Sequence, residues 1–113
     1  MYYKLIDKRV VKCQKGEVPD FKNRSIFRNN FTIYGEDVSV STVFLYMDHS
    51  FNGGPPLLFE TMIFGGLHDN HQLRYSTWED AEKGHEECCQ MVLEVVSNNR
   101  EEKINRILKK SWI

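Results

Sequence analysis

The sequence predicts an α+β domain: an antiparallel β-sheet of three to four strands, with one long C-terminal helix and a shorter final helix packed on one face. Three observations carry this. Runs rich in β-branched and aromatic residues dominate the chain as far as Phe64. A glycine-proline break, Asn52-Gly53-Gly54-Pro55-Pro56, divides two of those runs as a hairpin connection would. Beyond Ser76 the apolar spacing changes from two residues to three or four.

Each element has its own signal. Residues 2–13 are β-branched and aromatic and stop before Lys15-Gly16, which predicts one strand. Residues 14–30 hold Gly16, Pro19, Asn23, Asn29 and Asn30 among few apolar side chains, and so predict a long loop. Phe31 to Tyr34 and Val38 to Asp48 read as strands joined by a turn at Gly35. In the longer strand Thr42, Phe44, Tyr46 and Asp48 share one face, while Val43, Leu45, Met47 and His49 share the other. Both faces are largely apolar, so this strand belongs at the sheet centre. Leu57 to Phe64 follows as its antiparallel partner and ends at Gly65-Gly66. Ser76 and Glu79 have capping-box spacing. From there Trp78, Ala81, His85, Cys88, Cys89, Val92 and Val96 form one apolar stripe, and Asn98-Asn99 predicts its end. A second helix would bury Ile104, Ile107, Leu108 and Trp112 and pair Glu102 with Arg106 on its surface.

Size and composition narrow the function classes. With 113 residues, 41% hydrophobic and 27% charged, the chain has material for one core, and residues 1–113 are expected to form a single domain. A formal net charge of −1 gives no global field for nucleic acid or membrane, so neither partner is expected. No apolar run reaches the roughly 20 residues of a transmembrane helix, and Met1-Tyr2-Tyr3-Lys4 does not open a signal-peptide core. Three cysteines, two of them adjacent, fit a reducing cytoplasm better than a disulfide framework. The net charge conceals a segregation. Residues 1–30 carry eight Lys/Arg against three acids, whereas residues 31–99 carry eleven acids against Arg74 and Lys83. Such a pattern makes either a charged binding face or two neighbouring segments that neutralise each other.

Five polar residues are candidates for a site: Asp48, His49, Glu60, Arg74 and His85. Asp48 and His49 end the long strand beside the glycine-proline loop. They could act as an acid/base pair, or Asp48 could cap the loop amides and His49 pack beside it. Glu60 shares a strand face with Leu58, Met62 and Phe64, where an unpaired carboxylate would cost several kcal/mol. It therefore requires a partner: His85, Arg74, or the hydroxyl of Thr42 or Tyr46. Paired with Glu60, His85 would have its pKa raised. His68, Asp69 and His71 have side chains that metals favour, but no second motif stands at ligand spacing. Cys88 and Cys89 diverge by about 100° on a helix, which suits buried small hydrophobes better than joint ligands. No metal or cofactor is expected, and no nucleophile elbow, phosphate-binding loop or dinucleotide fingerprint occurs.

Two stretches together resemble a known family. Val40 to Leu45, Asp48-His49-Ser50-Phe51, Gly53 to Leu57, Phe59 to Met62 and Phe64-Gly65-Gly66 form the first; Arg74 to Trp78, Ala81 and Gly84-His85-Glu86 form the second. Over about residues 38–90 the chain is similar to a family of small uncharacterised bacteriophage and prophage proteins. The resemblance implies a phage-encoded accessory protein in the bacterial host cytoplasm, and it assigns no catalytic residue. The leading expectation is a binding protein that inhibits a host anti-phage defence macromolecule such as a CRISPR effector, with a host protein as partner and a homodimer as a further option. The alternative is a small hydrolase or nucleotide-handling enzyme using Asp48, His49, Glu60 and His85. A virion component would be expected to carry repeats or extended arms, and neither occurs.

Overall fold

The first apolar run folds back on itself. In the computed structural model, which describes residues 1–50 and 52–111 and side chains through residue 95, β1 (Tyr3–Ile6) and β2 (Arg9–Lys12) pair antiparallel. This hairpin replaces the single strand expected over residues 2–13. Its two turn residues, Asp7 at φ 49° and Lys8 at φ 68°, both take left-handed conformations, as a type I′ turn requires. Asp-Lys lacks the glycine that usually marks such a turn. Tertiary contacts hold it instead: the Lys8 ammonium lies 5.8 Å from the centre of the Trp78 ring. Tyr3, Leu5 and Val10 pack on the core formed by Phe44, Leu58, Phe59 and Ala81.

The main sheet has four antiparallel strands in the order β3 (Ser25–Ile33), β4 (Glu36–Phe44), β5 (Phe59–Phe64) and β6 (Gln72–Tyr75). β4 is interior, as its two apolar faces predicted, and it pairs with β5 in a register that sets Thr42 opposite Thr61 and Val43 opposite Glu60. It ends at Phe44, short of Asp48, and Tyr46 at φ 64° turns the chain out of the sheet. β6 was not expected, and β3 extends the strand expected from Phe31 back toward Ser25. β3 occupies the second half of the supposed loop over residues 14–30, with Arg28, Asn29 and Asn30 exposed because β3 is an edge strand. β6 is the other edge, only four residues long and too short to show a period. At the end of β5 the chain reverses through Gly65 at φ 88°, where a Cβ would overlap the Asp37 carbonyl oxygen, so the turn requires glycine.

One helix, α1 (Trp78–Ser111), packs across one face of this sheet and touches all four strands. Ala81, Gly84, His85, Cys88 and Val92 are buried against the sheet, while Glu79, Asp80, Glu82, Glu86, Glu87 and Glu94 are exposed. The helix begins one residue later than the capping-box spacing predicted: the Thr77 hydroxyl accepts the Asp80 amide at 3.1 Å. It also runs through Asn98-Asn99, so the expected break and separate second helix are not formed. Asparagine is only a moderately poor helix former, and neither glycine nor proline stands there to stop propagation. The side chains of Val96, Glu102, Ile104, Arg106, Ile107 and Leu108, and all of Phe51 and Trp112, lie outside the described residues. No helix among the described residues is long and apolar enough to cross a membrane.

Candidate functional site

The five polar residues singled out by sequence do not converge. Because successive strand residues point to opposite faces, Glu60 and Thr61 are separated by the sheet itself. Glu60 lies on the face away from α1, directly across from Arg74 in the β5–β6 register. The Arg74 Nε donates to Glu60 Oε2 at 3.0 Å, and the Gln72 amide donates to the same oxygen at 2.6 Å. The Glu60 side chain is 15% exposed and that of Arg74 30%. The carboxylate is therefore more than half buried and paired, as the physical reading required, with Arg74 rather than His85 as the partner.

His85 sits on the other face, between α1 and the sheet, and is 5% exposed. Its Nε2 is 2.7 Å from Asn29 Oδ1, and its Nδ1 is 2.7 Å from Thr42 Oγ1. The Thr42 hydroxyl is in turn 2.6 Å from that of Thr61. A carbonyl oxygen only accepts, so Nε2 carries the proton donated to Asn29, and Nδ1 accepts from Thr42. His85 thus bonds α1 to the edge strand β3 and to the interior strand β4. Burial holds its pKa below the ordinary imidazole value, and the Glu86 carboxylate opposes this only in part. The pairing with Glu60 that would have raised it is not formed, because that carboxylate lies on the far face of the sheet with Arg74.

Beyond Thr61 lies Tyr75, whose hydroxyl is buried against α1 with no hydrogen-bond partner among the described residues, and burial raises its pKa. Gly84 makes this approach possible, because a Cβ there would occupy the position of the Tyr75 hydroxyl. The sequence reading missed Asn29, Thr61 and Tyr75 as members of this cluster. Their signal was available: Thr42 and Thr61 are polar residues on strand faces shared with Val40 and Phe44, and with Phe59 and Ile63. Both threonines are fully buried, and a buried hydroxyl needs a partner.

Asp48 and His49 lie past the end of β4. Asp48 accepts the Ser50 amide at 2.8 Å, the Ser50 hydroxyl at 2.9 Å and the Leu57 amide at 2.9 Å, which closes the glycine-proline loop. Those amide bonds, from Ser50 first and Leu57 next, lower its pKa. It caps this loop, and its hydrogen-bonding capacity is largely used there. Asp69 does the same at the next turn, accepting the Gly65 amide at 2.7 Å. Burial pushes the Cys88 and Cys89 thiols up, away from the thiolate form that nucleophiles and metal ligands need. Among the described residues no group of three His, Cys, Asp or Glu side chains is placed to hold a metal.

Charge is the remaining surface feature. Two ion pairs occur among the described residues: Lys4–Glu17 at 2.9 Å within the basic segment, and Arg74–Glu60 within the acidic one. Neither joins the two segments; the outer face of α1 over residues 78–95 is rich in carboxylates with Lys83 as its only cation, and Lys8 of the basic segment lies beside the start of that helix, near Trp78. Beside that face, Arg74, Ser76, Asp80, Lys83 and Glu87 line an open cleft of about 350 Å³ between β6 and α1, with cations and anions mixed. Comparison with known proteins gave no match to a protein-family model, to a curated protein or to a solved structure.

Proposed function

We propose that the protein acts by binding: the acidic outer face of α1 docks on a basic surface of a bacterial host macromolecule, as a phage-encoded inhibitor of a defence nuclease would. The observation that supports this is the set of six exposed carboxylates on α1, from Glu79 to Glu94, none of them in an ion pair among the described residues. Their mutual repulsion is relieved when a cationic surface covers them, and a face of one sign accelerates encounter with such a partner. The core side of the same helix is occupied by Ala81, His85, Cys88 and Val92, and carboxylates are the most numerous groups on its outward side, beside Lys83, Gln90 and Leu93. A basic nucleic-acid channel of a CRISPR effector has the complementary charge.

The test is capture from phage-sensitive bacteria, comparing wild type with a Glu82→Lys, Glu87→Lys, Glu94→Lys variant. Wild type should retain a basic, nucleic-acid-binding host protein in stoichiometric amount and release it at high salt. The triple variant should lose it with its melting temperature little changed. Equal capture by both chains, or capture insensitive to salt, would reject the acidic face as the binding surface.

A further inference from the structure

We propose that His85 is a pH-operated latch that fastens α1 to the sheet, closed when the imidazole is neutral and released when it is protonated. The geometry of the ring carries this. In the neutral form, with Nε2–H donating to Asn29 Oδ1 and Nδ1 accepting the Thr42 hydroxyl, both nitrogens are satisfied and the three elements α1, β3 and β4 meet at one side chain. Protonation turns Nδ1 from acceptor to donor. Thr42 must then turn its own proton toward Thr61, and Thr61 must pass its proton onward to a group able to accept it. The buried Tyr75 hydroxyl stands next to Thr61 without a hydrogen bond of full geometry, so it takes that proton only if one of the two side chains shifts.

The imidazolium would also sit without a counter-charge. From β3 the ring meets Phe27 and Asn29, from β4 Thr42 and, one hydroxyl further, Thr61 of β5; none is ionisable. Tyr75 of β6 is neutral, with its pKa raised, and Cys88 on α1 is held as the thiol by burial. Glu86, exposed on the outer side of α1, is the one carboxylate acting on the ring, and it offsets only part of the desolvation. Asn29 is exposed at the free edge of β3, so moving α1 away from that edge is the shortest route by which water reaches the ring.

The sign follows from linkage. The folded-state pKa is depressed, so the unfolded chain binds more protons as pH falls below the ordinary imidazole value of about 6.5. The latch contributes fully above that value, and its contribution is lost as pH falls through the folded-state pKa. Trp78 reports the event, since its ring packs edge-on against Phe27 at 5.2 Å and Phe27 lies 5.4 Å from the His85 ring.

The experiment titrates the full chain carrying Trp112→Phe, so that fluorescence comes from Trp78 alone, and follows the His85 ring protons by NMR in the same samples. The expected result is one midpoint below pH 6.5 shared by His85 protonation, the Trp78 emission change and a loss of amide protection in the first turns of α1. Asn29→Asp places the missing counter-charge against Nε2 and should raise the midpoint of His85 protonation by about one unit or more while suppressing the Trp78 and amide changes, and His85→Gln should abolish the transition. If His85→Gln does not fold, the Asn29→Asp shift still decides the matter. Protonation of His85 that leaves Trp78 and the α1 amides unchanged in the chain with Asn29 would overturn the latch, and so would a release that persists at the same pH in Asn29→Asp.

Discussion

Glu60 shows how far a single residue can be read before its surroundings are known. A carboxylate in the run Leu58 to Phe64 had to find a donor, and it found two in Arg74 and Gln72. Which donor it would find depended on strand pairing, because Arg74 becomes its neighbour only once β6 exists and aligns with β5. Glu60→Gln keeps the shape and removes the charge-assisted bond. With Arg74 30% exposed, water screens part of that interaction, and the substitution should destabilise by about 1 kcal/mol in chemical denaturation. A loss under 0.3 kcal/mol, measured to adequate precision, would show that the pair is no better than solvated. The histidine reading went differently. His85 was visible as a polar residue in an apolar stripe, but its inclusion among the possible partners of Glu60 required both to face the same side of the sheet.

At the scale of the element, the contact between α1 and β6 depends on a missing side chain. Gly84 lies in the interior of a helix, where glycine ordinarily costs about 1 kcal/mol relative to alanine. It is kept from gaining that stability by the Tyr75 hydroxyl, which occupies the space a Cβ would fill. Gly84→Ala should therefore destabilise by about 1–3 kcal/mol despite its better propensity. Tyr75→Leu withdraws the ring, whose Cζ and Cε1 overlap that Cβ position as the hydroxyl does. In the Tyr75→Leu chain the Gly84→Ala change should cost much less than beside the tyrosine, and a thermodynamic cycle over the four chains measures the coupling. Additive effects would place the cost elsewhere than in this contact. The same element shows why Asn98-Asn99 misled: residues that end helices by preference do not end one whose backbone bonds can continue.

Across the whole molecule, one helix on one face leaves the chain with two unlike exteriors. The outer side of α1 is acidic, and the N-terminal hairpin and the segment after it are basic, with Lys8, Arg9, Lys12, Lys15, Lys22, Arg24 and Arg28 exposed. Buried Val40, Phe44, Phe59 and Ile63 lie between sheet and helix, and the packing of these side chains supplies cohesion. Extended chelator treatment of the purified protein should accordingly leave its melting temperature within about 2 °C of the untreated value. A drop on the scale expected for loss of a structural metal would reinstate His68, His71 and the cysteines as ligands.

The sequence by itself determined the fold class, the interior position of β4, the hairpin between β4 and β5, the buried stripe of α1 and the requirement that Glu60 be paired. Each of these rests on local periodicity or on the cost of burying one group, and both are properties of a short stretch of chain. Only the tertiary structure decided that residues 2–13 turn back at Asp7-Lys8, that β3 and β6 form the sheet edges, and that His85 joins Asn29 and Thr42 instead of Glu60. Those outcomes depend on which strands become neighbours and which face of each strand α1 covers. A change of one residue in register moves every side chain to the other face, and no local pattern in this chain sets that choice.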